Sequence, residues 1–154
     1  MVLAVLATAG CATGQDADTQ RETPDVAGVS GTAGEVVLDD VFLDSADGVQ
    51  PGETVALRAV LTNDGAADDR LVQADSPAGP IILLGPSGEV EAPDGIAVPA
   101  GGQVDMVDGS VRMELAEADR AVPSTGTLTV TFTFARSGEV RLDVPVSSGT
   151  APGS

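Results

Sequence analysis

Cys11 is the one thiol in this chain, and histidine is absent throughout. Those two counts remove most nucleophilic and metal chemistry. A Ser-His-Asp triad, a Cys-His pair and a His-ligated metal all need an imidazole. A lone cysteine cannot close a disulfide within its own chain. Carboxylates, hydroxyls and thioethers remain. The acids gather in two places, Asp39, Asp40, Asp44 and Asp47 before Gly48, and then Asp64, Asp68 and Asp69. Oxygen ligands of this kind suit Ca²⁺, but the spacing matches no EF-hand loop, and a solvated acidic face is the preferred reading. A carboxylate pair for glycoside hydrolysis would lack aromatic rings to stack on sugars, because the chain holds three Phe, no Trp and no Tyr. No catalytic residue, cofactor or metal ligand is therefore expected, and the chain is read as non-enzymatic.

Cys11 itself suits lipid attachment. It closes an apolar run, Met1 to Gly10, that ends in small residues. A signal peptidase needs such residues near the cut to hold an extended backbone. Thr8-Ala9-Gly10-Cys11 resembles a lipobox, whose cysteine receives a diacylglycerol and becomes the mature N-terminus. Thr8 stands where Leu is usual, and no Lys or Arg precedes the run, so residues 1–10 are read as an incomplete signal peptide. The run is too short for a transmembrane helix. The alternative, an apolar N-terminal strand that buries Cys11, is disfavoured by the polar stretch that follows. Residues 11–33 are read as the lipidated cysteine and a disordered tether, kept extended by Asp16, Asp18, Glu22 and Asp25. Export, with a lipid anchor in the outer face of the cytoplasmic membrane, is the expected location.

The chain carries 24 acids against seven bases, all arginine, for a net charge of -17. A surface of that sign repels nucleic-acid phosphates, so no nucleic-acid partner is expected.

The elements that must position these groups follow from Gly34 onward. Hydrophobicity alternates with period two, broken by turn residues at the intervals of a β-sandwich. Strands are predicted over Glu35 to Asp44, bulged at Asp39-Asp40 where the alternation slips, and over Thr54 to Leu61. Shorter ones are predicted over Arg70 to Ala74, Pro80 to Leu84, Gln103 to Val107 and Val111 to Leu115. The clearest is Thr127 to Phe134, with Leu128, Val130, Phe132 and Phe134 on one face and four threonines on the other. A turn at Arg136-Ser137-Gly138 folds Val140 to Val146 back on it. Only Leu115 to Val122 has any helical character, and it is read as one turn or a loop. The prediction is an all-β domain over residues 34–146, with a flexible tail at 147–154.

Three segments carry a resemblance. Asp69-Arg70-Leu71-Val72 with Asp75-Ser76-Pro77-Ala78, then Asp94 to Gly102, then Thr127 to Val140, are similar in order and spacing to blocks of the PCu(A)C copper chaperones. The acidic tether before Gly34-Glu35-Val36-Val37-Leu38 is similar to that of mycobacterial and related actinobacterial lipoproteins on a side branch of the family. The resemblance implies a cupredoxin-like, Ig-like antiparallel β-sandwich. It also implies where Cu(I) ligands would stand: a His near Leu84, a Met near Val90, and a His-x-Met pair at Arg112 and Glu114. None of the four is kept. Soft Cu(I) favours thioether and imidazole over carboxylate, so copper is not expected. Met106 and Met113 are nearby but are read as core filling. Two functions stay open. One is a non-catalytic binding or assembly lipoprotein with an unnamed partner in the cell envelope, linked by analogy to respiratory-oxidase assembly. The other is metal handling through a non-standard Met and carboxylate site.

Overall fold

Alternation along the chain becomes two opposed sheets in the computed structural model, which describes residues 28–86, 92–107 and 109–148. The strands in those residues are β1 (Val29–Ala33), β2 (Val36–Asp44), β3 (Val55–Asn63), β4 (Asp69–Ser76) and β5 (Gly79–Leu84), followed by β6 (Ile96–Val98), β7 (Gln103–Asp105), β8 (Arg112–Leu115), β9 (Thr127–Phe134) and β10 (Gly138–Ser147). Val55, Leu57, Ala59 and Leu61 of β3 and the apolar residues of β9 are buried, while the residues between them are not. Burial of one face only is what period-two patterning encodes. Cys11, Val90, residues 1–27 and residues 149–154 lie outside the described residues.

One layer contains β1, β2, β3, β7 and β8, and the other contains β4, β6 and β9. β5 and β10 pass between the layers. β5 pairs with β4 at Gly79 and Pro80, then with β8 from Ile81 to Leu84. β10 pairs with β9 as far as Pro145, then turns to β2 through Val146 and Ser147. Pro145 lacks the amide needed to continue a ladder, which suits a strand changing partners there. The β2–β3 pairing completes a ring in the order β2-β10-β9-β4-β5-β8-β3. The fold is the expected all-β sandwich, partly closed into a barrel. One pairing, β10 with β2, is parallel.

The bulge at Asp39-Asp40 forms as expected. The β2–β3 register shifts between Asp39 and Phe42, and Asp40 takes φ 50°.

Two expectations need correction. Val29 to Ala33, read as tether, is strand β1, paired with β2. Its small residues hid it, yet the smallness is needed: a Cβ on Gly31 would lie 2.5 Å from a Leu142 methyl. Ser147, read as the first residue of the tail, closes β10, and its carbonyl accepts from the Ser45 amide at 3.0 Å. Beyond Leu115, where β8 ends, the segment to Val122 is a loop, one of the two forms expected of it. Glu117 takes φ 43°, and the backbone bonds to its neighbours, Asp119 N to Ala78 O and Val122 N to Val49 O.

Ile96 to Val98, read only as part of a turn, is the short strand β6.

Phe132 is completely buried, and the core around it is aliphatic, with Phe134 as its other ring. Phe132→Ala should cost about 3–5 kcal/mol through lost transfer energy and the cavity left behind. Thr131→Ala, on the opposite face, should cost about 0.5 kcal/mol or less. Urea melts of the two variants test this, and similar losses would mean that the buried face has been misassigned.

Candidate functional site

The aligned ligand positions fall on neighbouring strands. Leu84 of β5 is the direct partner of Arg112 of β8, and Ile82 is the partner of Glu114. Alternation puts Arg112 and Glu114 on the outer face of β8 and Met113 and Leu115 on the inner one. β8 also pairs with β3, Ala56 facing Glu114 and Leu57 facing Met113. Continued by one residue, that register sets Arg58 opposite Arg112. The fold thus gathers Leu84, Arg112 and Glu114, as the motif alignment implied, and adds Arg58, which sequence reading did not single out.

Arg58 is held from two sides. Its Nε and Nη2 both lie 3.1 Å from Asp44 Oδ2, and Nη1 donates to the Val107 carbonyl at 2.7 Å. Asp44, read as part of a possible cation cluster, is therefore engaged with an arginine. Arg112 makes no ion pair among the described residues. A cleft of about 260 Å³ opens over these groups, lined by Ala56, Arg58, Val107, Arg112 and Glu114, with Met106 and Met113 at its base. Both methionines are 1 % exposed and belong to the core cluster.

Copper ligation does not fit this set. Leu84 offers hydrocarbon, Arg112 brings a fixed positive charge, and Glu114 is a hard donor. The thioether of Met113 leaves β8 on the face opposite Glu114. No group of three acidic or Cys residues among the described residues is arranged to hold a metal ion.

The second acidic group has separate duties. Asp64 is exposed, and Asp68 accepts from the Ala100 amide at 2.9 Å. Asp69 is buried at 6 % exposure. Its Oδ1 accepts from the amides of Arg70 at 2.7 Å and Arg136 at 2.9 Å, and its Oδ2 from the amide and hydroxyl of Ser137. Burial alone pushes the carboxyl up, but the Ser137 hydroxyl and the three amides outweigh it and hold it below its ordinary value of 3.8. Nearby, the buried Asn63 donates to the carbonyls of Ala67 and Val98 and accepts from the Gly65 amide. The turn signal Asn63-Asp64-Gly65 was legible in sequence, whereas the burial of Asn63 and Asp69 was not.

Because the folded-state value of Asp69 is depressed, its stabilisation is complete above the unfolded value and is lost as pH falls through the folded one. Asp69→Asn places an amide NH₂ among donors and should cost about 1–3 kcal/mol near neutral pH. The gap from the parent protein should narrow below 3.8, the ordinary value. Urea melts across that range check it, and a gap independent of pH would contradict an ionised Asp69.

Comparison with known proteins agrees with this architecture. Residues 36–146 match the family model described as "Putative lipoprotein LpqE-like". The protein of that name in Mycobacterium tuberculosis is 29% identical over 162 aligned positions, spanning 98% of this chain and 87% of the relative. Its Mycobacterium leprae counterpart is 28% identical, spanning 93% and 82%. Among solved structures, a copper-bound PCuAC domain from PmoF2 superposes with TM-score 0.66 at 22% identity, covering 78% of this chain and 98% of that domain. An apo PCuAC domain from PmoF1 gives 0.68 at 19% identity, covering 78% and 99%. At such identities the likeness is one of fold.

Proposed function

The chain belongs to the LpqE-like lipoprotein family, and from that premise we propose a membrane-anchored, non-catalytic binding or assembly factor that does not carry Cu(I). Cys11 bears the lipid, and the anchor holds the β-sandwich at the outer face of the cytoplasmic membrane. The observation that carries the metal-free part is Arg112, paired with Leu84 and lining one cleft with Arg58. A guanidinium is no metal ligand, and its fixed positive charge stands where a soft donor would be needed. The partner is a protein of the cell envelope. The likeness to copper chaperones directs the search for it toward respiratory-oxidase assembly, which is an argument from fold.

Two experiments test the proposal. The precursor made in its own host with a full signal should partition with membranes, and Cys11→Ser should leave a soluble or unprocessed protein. Equal membrane association of the two forms would remove the anchor from the proposal.

In the second, Cu(I) is titrated under reducing conditions. A ligand that binds only the folded state raises the melting temperature with concentration, and no such rise is expected. A stoichiometric Cu(I) complex that survives a competing chelator, and that is lost when Met106 and Met113 are replaced, would restore metal handling.

A further inference from the structure

We propose that the cleft between β3 and β8 binds a small oxyanion, a carboxylate or phosphate group, gripped by Arg112 with Arg58 beside it. The β3–β8 ladder ends at Leu57 and Met113, and the next residues, Arg58 and Arg112, both line the cleft. Asp44 neutralises Arg58. Arg112 has no such partner among the described residues, although Glu114 stands two residues away on the same face. With Asp44 on Arg58 and Glu114 in the lining, the formal charges here balance, and what the cleft offers an anion is the guanidinium fork of Arg112, which has no ion pair among the described residues.

Phe42 pairs with Arg58 and Leu84 with Arg112, so buried apolar residues end the row on both sides at 4 % and 9 % exposure. Arg112 itself is exposed, so its fork is open to an entering anion. The guanidinium fork matches the two oxygens of a carboxylate or phosphate. Arg58, held by Asp44 and the Val107 carbonyl, is fixed in position before any ligand arrives. The cleft, about 260 Å³, admits a group of that size. Glu114 limits the affinity by repelling the same ligand.

This inference deepens the metal-free reading and rests on it, yet the two fail separately, because a protein can refuse copper and bind no oxyanion. The test follows the melting temperature of the full chain against citrate and, separately, inorganic phosphate, each compared with chloride at equal ionic strength. At least one should raise it beyond chloride. Response to citrate alone identifies a carboxylate ligand, and response to phosphate alone a phosphate one. Arg112→Gln should weaken the apparent affinity roughly tenfold. Glu114→Gln should tighten it. No rise with either anion, or equal rises in the parent protein and Arg112→Gln, would overturn the site. So would an affinity unchanged by Glu114→Gln.

Discussion

A buried carboxylate holds together the end of this sandwich where four segments meet. Asp69 opens β4 and accepts from the amides of Arg70, Arg136 and Ser137 and from the Ser137 hydroxyl. The first of these bonds is local, while the others reach the β9–β10 turn, 67 and 68 residues along the chain. A charged acceptor with its oxygens satisfied can be buried, whereas the same group unpaired would be too costly. Asn63 completes the arrangement by joining the loop after β3 to the end of β6 through the Val98 carbonyl. With no disulfide available, hydrogen bonds of this kind help to hold the turns where the sheets close.

That closure makes a two-faced β8 possible. Met113 and Leu115 fill the core, while Arg112 and Glu114 face outward. Because neighbouring side chains point to opposite faces, the outer pair can change without disturbing the inner one. A fold shared with PCuAC domains at 22% identity or less is compatible with an outer face of different chemistry. Here that face carries Arg112 and Glu114 beside Leu84 and Ile82.

The acidic clusters show how misleading proximity in sequence is. Asp39 and Asp40 mark a bulge, Asp44 pairs with Arg58, Asp68 caps the Ala100 amide, and Asp69 is an interior anchor. Asp40, Asp47, Asp64 and Asp68 are exposed, as the solvated reading expects, whereas Asp69 is buried. Carboxylates this close together would repel if all faced one point, and the fold disperses them.

The period-two alternation, by itself, determined that the domain is built of strands and which side of each is buried. It located the β9–β10 hairpin and the bulge in β2, because both leave local marks: a run of alternating Thr and apolar residues, and a slip in phase. Composition settles which chemistry is absent, since a chain without His cannot present an imidazole. Only the tertiary structure decided the rest. β1 escaped notice because Val29 to Ala33 is small and weakly apolar, and it becomes a strand only beside β2. Asn63 was legible as a turn residue and Asp69 as one of an acidic group, but neither as buried, since their partners come from distant parts of the chain. The meeting of Arg58 and Arg112 at one cleft has the same cause. Alternation tells which face a side chain takes, while the register that chooses its neighbour is set by long-range pairing across the sheet.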